Sequence, residues 1–329
     1  MIPKKRKKSN KSKINQPTGI SIVIPNWNGQ AFLPSCLNSL LTSIKKTKNI
    51  LFEIILVDNA STDKSVSIFK SSVPAYQRTK VLRLRRNTGF VYAVNRGIEA
   101  SQFDYVCICN NDLTVDQNWF TEIVKAIQRT SEPANHRTSE PITTFSGLVL
   151  NKDGTKIESR GLRFYPYGKA ENIANGLPFS KTNIHHLSSK NYLIWGSSAS
   201  IVIYHKPTIL KVGLFDERFF AYEEDVDLAY RLNKSGFKTL FVPTAISYHL
   251  GGGTSSKMGN FRQQMDFKNW ILLIAKNYSF REILANSPVI FIERLRNLSG
   301  VVKSTPLPKL PQTLFSVFSQ TLSALIQKK

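Results

Sequence analysis

The residues able to do chemistry collect at the ends of apolar runs. Residues 20–25 (ISIVIP) end in Asn26-Trp27-Asn28-Gly29, and residues 52–57 end in Asp58-Asn59-Ala60-Ser61-Thr62-Asp63. Residues 81–84 are followed by Asn87-Thr88-Gly89-Phe90, and residues 105–109 by Asn110-Asn111-Asp112. One polar strand end is a turn or a helix cap. Four in succession mark the carboxyl edge of an open α/β sheet, where such sheets bind ligands. Asp112 offers a carboxylate to Mg²⁺ or Mn²⁺, hard cations that take one or two protein carboxylates together with phosphate oxygens. Its plain alternative is a helix cap ahead of residues 115–127.

A second cluster is Tyr222-Glu223-Glu224-Asp225-Val226-Asp227. Acids at a helix start suit the positive end of its dipole. Crowded carboxylates also raise the proton affinity of one member, and such a group in a cleft serves as a general base. His249, at the end of the last strand-like run, is either a satisfied imidazole or a further metal ligand. No GxxxxGK[ST] loop is present, and no GxGxxG follows the first strand. A diphosphate bound here therefore needs another source of positive charge.

These residues need a scaffold, and the apolar pattern supplies one. Strand-like runs at 20–25, 52–57, 81–84 and 105–109 alternate with helical spacing at 31–44, from 61 onward, at 89–100 and at 119–127. That alternation predicts a mostly parallel sheet covered on both faces. The motif RTSEP occurs at 129–133 and again at 137–141, read as a polar surface loop. Strand-rich segments follow at 144–150, 157–167 and 192–204, with helices at 207–212 and 224–233 and a strand from 237 toward His249. From about 261 the pattern is helical. Its last segment aligns Leu314, Phe318, Leu322 and Leu325 on one stripe, broadened by Phe315, Val317 and Ile326. That stripe packs on the domain or a partner, or lies on a membrane.

Composition narrows the classes. The chain has 329 residues, 41% of them hydrophobic, enough for a full core and against global disorder. No uncharged apolar stretch reaches membrane-spanning length. Cys36, Cys107 and Cys109 form no CxxC pair, which argues against a disulfide scaffold or zinc ribbon. The net charge is +23, and residues 1–13 carry seven basic groups and no acid. No apolar segment follows that start, so it reads as a solvated tail rather than a signal peptide. Attraction to anionic lipid is the main functional alternative.

The motifs, in this order, resemble family 2 glycosyltransferases, inverting enzymes of the GT-A fold, and among them the rhamnosyltransferase-like subgroup. The matching segments are SIVIPNWNG, EIILVDNASTD, RNTGFVYAVNRGI, NNDLTVD, WGSSASIVIYHK, VGLFDERFFAYEEDVDLAYRLNKSGFK and YHLGGGTS. The resemblance covers about residues 19–256 and implies a Rossmann-like, mostly parallel sheet with helices on both faces. The expected organisation is a disordered basic tail over 1–18, halves at 19–129 and 142–256, and a helical extension over 257–329.

The resemblance also implies roles. Pro25, Asn26 and Asn28 would line the nucleotide pocket, Asp58 would contact the base, and Asn59 and Ser61 would support it. Asn87, Gly89 and Phe90 would continue the wall, with Asn95 toward the phosphates or sugar. Asn111 and Asp112 match the Asp-x-Asp-like element, with Asp112 a metal ligand shared with His249, and Thr114 standing where a final Asp would be. Trp195 and Gly196 would border sugar and acceptor. Glu224 and Asp225 match the Glu-Asp pair, with Asp225 the general base and Glu223 and Asp227 lesser candidates. The implied reaction is metal-assisted direct displacement from a nucleoside-diphosphate sugar. The donor is dTDP-L-rhamnose or a UDP-hexose, and the acceptor a glycan or lipid-linked hydroxyl. The location implied is cytoplasmic, peripheral at the inner face of the membrane. The competing readings are a nucleotidyltransferase, which lacks its Gly-rich basic loop here, a basic nucleic-acid-binding protein without a known module, and a scaffold of the same fold. No nucleic-acid partner is expected.

Overall fold

The computed structural model describes residues 18–131, 140–180, 192–251 and 259–327. The basic start lies outside these residues, as do residues 132–133 of the first RTSEP copy, 137–139 of the second, and 252–254 of the Gly251-Gly252-Gly253-Thr254 run.

The first half alternates as the apolar pattern requires. Strands β1 (Gly19–Asn26), β2 (Leu51–Asp58), β3 (Arg78–Arg83) and β4 (Tyr105–Cys109) are separated by helices α1 (Leu33–Lys46), α2 (Ser65–Ser72) and α3 (Gly89–Ala100). β1 pairs in parallel with both β2 and β4, and β2 with β3. Side chains along β1 alternate between two cores. Ile20, Ile22 and Ile24 pack with Leu33, Leu37 and Leu40 of α1. Val23 points the other way, into Val91, Val94 and Ile98 of α3. α2 starts at Ser65, later than the Ser61-Thr62-Asp63 signal, because Asp63 is used to accept from the Gln30 and Ser65 backbone N–H groups at 2.9 and 3.0 Å.

After β4 the chain departs from simple alternation. A short β5 (Leu113–Val115) precedes α4 (Trp119–Ser131), so Asp112 leads into a strand and does not cap a helix. The remaining strands are β6 (Ile142–Asn151), β7 (Ile157–Ser159), β8 (Leu162–Tyr165), β9 (Lys169–Asn172), β10 (Tyr192–Ile194), β11 (Ile201–His205) and β12 (Lys238–His249). They are joined by α5 (Lys206–Val212) and α6 (Glu224–Lys234). The sheet order is β10-β12-β6-β11-β4-β1-β2-β3, with β5 on β12 and β7 on β6. The long ladders are parallel, including β12 on β6, whereas β11 enters antiparallel between β4 and β6.

Three helices close the chain: α7 (Phe261–Asn277), α8 (Phe280–Ser304) and α9 (Leu310–Ile326). α7 places Trp270, Leu272 and Leu273 in the same core as α3. α8 opens with a capping box, in which Ser279 and Glu282 exchange side-chain-to-backbone bonds. The expected stripe of the last helix packs in part. Val317 is buried with Thr321 and Ala324, Leu314 packs beside Val317, and Phe318 meets Phe267 of α7 edge-on at 5.4 Å. Phe315, Leu322, Leu325 and Ile326 stay exposed.

The α3–β1 packing has no slack at Gly97. A Cβ there would lie 2.2 Å from Val23 Cγ1, a branched side chain fixed in the central strand. Gly97→Val is expected to lower stability by about 1–3 kcal/mol through overpacking, read as a lower urea midpoint with unchanged slope.

Candidate functional site

The strand ends of the parallel half are tied together by asparagines. Asn26 donates to Ser61 Oγ at 3.1 Å and accepts from Asn111 at 2.7 Å, linking the ends of β1, β2 and β4. Asn28, at φ 51°, accepts from the Thr62 backbone at 2.8 Å. Asp58 is buried at the end of β2 and accepts from the Ser61 backbone at 3.3 Å. Asn59 donates to Asn87 Oδ1 and to the Gly89 carbonyl, both at 3.0 Å, and accepts from the Thr88 backbone at 2.9 Å. Asn59 therefore shapes the 87–89 turn instead of offering its own polar atoms. Pro25 and Phe90 are half-buried beside this edge, and Phe90 packs on the α3 core.

Asn95 requires a correction. It is buried, donates to the Phe215 carbonyl at 2.9 Å and to Glu217 at 3.2 Å, and accepts from the Phe215 backbone at 3.3 Å. With both amide hydrogens and the carbonyl engaged, it clasps α3 to the 215–217 loop and does not face phosphates or sugar.

Asp112 and His249 meet although 137 residues separate them. Antiparallel pairing sets His249 opposite Leu113, and the Leu250 N–H donates to the Asp112 carbonyl at 2.9 Å. Asp112 Oδ2 then lies 3.3 Å from His249 Nε2, and Glu158 Oε2 lies 2.7 Å from His249 Nδ1. Hydrogen bonding to Asp112 first, then to Glu158, raises the imidazole pKa to about 10. One carboxylate oxygen and one imidazole nitrogen converging at the polar edge fit a divalent cation that takes its other ligands from phosphate and water. Among the described residues no group of three His, Cys, Asp or Glu converges on a metal-sized space. Glu158 has the geometry of the carboxylate that orients a metal-binding histidine through its other ring nitrogen. Nothing in the local pattern around Glu158 signalled it.

The acid cluster divides into distinct roles. Asp227 is fully buried and neutralised: Arg231 Nε at 2.9 Å, Lys276 at 2.8 Å and Asn277 at 2.8 Å all donate to it. Asp225 is half-exposed. Its Oδ2 accepts from the Ala199 N–H at 3.1 Å and its Oδ1 from the Val226 N–H at 2.8 Å. Desolvation raises its pKa against the lowering effect of those N–H groups. Glu224 is buried, and desolvation together with the Asp225 charge pushes its carboxyl well up. Its Oε2 is buried without a hydrogen-bond partner. Of the two, Glu224 has its proton affinity raised the more strongly. Glu223 is raised too, by desolvation first and then by Asp225 and Asp266. The Asn110 N–H donates to the Ser200 carbonyl at 2.8 Å, so the Asp225 anchor at Ala199 adjoins the end of β4 that carries Asp112.

The loop before α6 is strained. Phe220, Tyr222 and Glu223 hold φ of 66°, 67° and 63°, the left-handed region that costs non-glycine residues about 1 kcal/mol or more each. α7 secures it. Asn269 Nδ2 reaches the carbonyls of Phe219, Ala221 and Tyr222 at 3.1, 2.7 and 2.7 Å. Lys268, buried and lowered to about 8 by desolvation, donates to the Arg218 carbonyl at 2.7 Å. The Val91 N–H donates to the Phe220 carbonyl at 3.0 Å, and Gly89, at φ 87°, admits Phe220 where a Cβ would sit 2.7 Å from its carbonyl oxygen. Trp195 stacks on Phe164 at 4.3 Å, and its carbonyl accepts from Asn233 at 2.6 Å. Gly196 lets α6 approach, since a Cβ would fall 2.6 Å from that of Ala229. Lys268 and Asn269 lie beyond the recognisable motifs, in a segment that reads only as an amphipathic helix.

Comparison with known proteins agrees with this geometry. Residues 21–137 match the family model described as glycosyl transferase family 2. The chain is 26% identical over 271 residues to chondroitin synthase of Pasteurella multocida, a match covering 75% of this chain and 26% of that protein. It thus spans about a quarter of that relative's length. It is 25% identical over 232 residues to N-acetylglucosaminyl-diphospho-decaprenol L-rhamnosyltransferase of Mycobacterium tuberculosis, covering 65% of this chain and 71% of that one. Among solved structures, the mannosyltransferase PcManGT of Pyrobaculum calidifontis, in complex with GDP-Man and Mn²⁺, superposes with a TM-score of 0.55 at 11% identity. That superposition covers 95% of this chain and 87% of the other. The fold is that of the GT-A glycosyltransferases.

Asn269→Ala removes the donor shared by three buried carbonyls. It is expected to cost about 1–3 kcal/mol in urea unfolding and to speed proteolytic nicking of the 218–223 loop.

Proposed function

We propose that this chain, a family 2 glycosyltransferase across residues 21–137, transfers a hexosyl group with inversion from a nucleoside-diphosphate sugar to an acceptor hydroxyl. The observation that carries the reading is Asp225. Its carboxylate is fixed by two backbone N–H groups beside a neighbour, Glu224, whose proton affinity burial raises, at the sheet edge where the nucleotide-side loops and the Asp112–His249 pair also gather.

In the proposed step, Asp225 takes the proton of the acceptor hydroxyl. The freed oxygen attacks the anomeric carbon on the face opposite the diphosphate, and the carbon–oxygen bond to the diphosphate breaks with its electron pair leaving on the phosphate. Inversion follows from one in-line displacement. Burial favours the neutral form of Glu224, which would keep a second negative charge away from the incoming oxygen. Asp112 and His249 would hold Mn²⁺ or Mg²⁺, which supplies neutralisation of charge on the leaving diphosphate. The loops at 26–29, 58–61 and 87–90 would receive the nucleotide.

For the donor we favour L-rhamnose on dTDP, with UDP-hexoses as the competing class. The support for rhamnose is the likeness to a rhamnosyltransferase over most of that protein's length. The proposed acceptor is a hydroxyl of a glycan or a lipid-linked intermediate. The proposed setting is the cytoplasmic face of a membrane.

The test is a panel of sugar nucleotides, with and without Mn²⁺, read first by thermal shift and then by product formation. A Mn²⁺-dependent rise in melting temperature with one donor, lost in Asp112→Ala, is the expected result. Asp225→Asn is expected to lower kcat by about 10²–10⁴-fold while that donor-induced shift persists. Equal loss of binding and turnover in Asp225→Asn would count against its role as base.

The raised proton affinity of Asp225 also sets a pH dependence. Its active form is the carboxylate, so turnover is present above its pKa and falls as pH drops through it. The acid limb of kcat/KM is expected above the ordinary aspartate value of about 4, and a limb at or below that value would contradict the assignment.

A further inference from the structure

The outer faces of α8 and α9 carry what the core does not use. At about 100° per residue, Phe280, Leu284, Phe291, Leu295 and Val302 fall within an arc of about 80° on α8. All five are exposed, Phe280 at 79% and Phe291 at 64%. The heptad-like spacing of 4, 7, 4 and 7 residues therefore marks a continuous exposed apolar stripe. On α9, Phe315, Leu322, Leu325 and Ile326 fall within about 100° and are exposed, Phe315 at 76% and Ile326 at 70%, whereas Phe318 meets Phe267 of α7 edge-on at 5.4 Å. The inward face of α9 is already filled by Val317, Thr321 and Ala324.

Charge is sorted around the α8 stripe. Arg281, Arg296 and Lys303 fall at about 100–160° on the same wheel, directly beside the apolar arc. Glu282 and Glu293 fall at about 200–220°, on the far side. Glu282 is used in the cap, and the buried Glu293 pairs with Arg296, which leaves Arg281 and Lys303 without an acid on this helix. An apolar stripe with cations along its border is the pattern of a helix lying in the plane of an anionic membrane interface. No described helix is long and apolar enough to cross a membrane, so the stripe suits lying on the bilayer. A second protein or a second copy of this chain would bury the apolar arc equally well, but neither explains why one sign of charge lines its border.

We infer that α8 forms a docking surface for an anionic lipid bilayer, with its apolar stripe in the headgroup–acyl boundary and Arg281 and Lys303 on lipid phosphates. The inference is independent of the transferase reading, because it requires no nucleotide or acceptor.

The test uses the full chain and vesicles of phosphatidylcholine alone or mixed with phosphatidylglycerol, read by co-sedimentation at low and high salt. Binding is expected to the mixed vesicles, weakened by salt. The double variant Arg281→Glu/Lys303→Glu is expected to bind about thirtyfold more weakly. Phe291→Ser/Leu295→Ser is expected to lose about tenfold or more, with the residual binding more salt-sensitive. Circular dichroism melts that match the parent chain show that both variants remain folded. Equal binding to both vesicle types, or none to either, overturns the proposal. So does a concentration-dependent dimer in light scattering that Phe291→Ser/Leu295→Ser dissolves while vesicle binding is unaffected.

Discussion

Three left-handed, non-glycine residues within four positions, Phe220, Tyr222 and Glu223, are the constraint around which the site is arranged. Such backbone persists only where its surroundings leave it no alternative. Here α7 takes up the loop's carbonyls through Asn269 and Lys268, and α3 donates the Val91 N–H to Phe220. The result is a fixed entry into α6, so that Asp225 meets the backbone N–H groups of Ala199 and Val226. The loop that carries the proposed base is therefore set by an element from each half of the chain.

The acids at the start of α6 show how position separates like groups. Asp227, one helical turn from the surface, is matched by Arg231 and Lys276, and Lys276 also reaches Asp216 at 2.8 Å. Arg218 pairs with Asp216 at 2.6 Å, and these cations hold Asp216 below the usual carboxylate range despite its burial. That network lies on the α7 side of the helix. Asp225 and Glu224 receive no such cation, and desolvation raises both. Four neighbouring carboxylates thus include one held by cations and three with elevated proton affinity, without any difference in residue type explaining the split.

Much of this was legible in the sequence where the signal was local. Helix α3 and strand β4 occur where the periodicity placed them, because their apolar faces are continuous and their ends are polar. The four polar strand ends do meet along one edge, since parallel pairing brings carboxyl ends together. Residues whose roles depend on long-range pairing were not legible. Glu158 reaches His249 only because β7 pairs with β6, and β6 with β12. Asn95 belongs to a recognisable motif yet serves a loop 120 residues away. The α9 stripe splits in the structure, with Leu314, Val317 and Phe318 against α7 and Phe315, Leu322 and Ile326 exposed, a division that periodicity alone cannot give.

The position of α7 has a consequence for dissecting the chain. Its Trp270, Leu272 and Leu273 complete the core under α3, while Phe267 joins Val301 of α8 and Val317 of α9. A rise of about 1.5 Å per residue means that a slip of α7 by a single position would carry Asn269 out of reach of its three carbonyls. The minimal folding unit therefore extends through Asn277, well beyond the last recognisable sequence motif. A fragment cut where that resemblance stops would keep every motif residue and lose the helix that gives the 220–223 loop its shape.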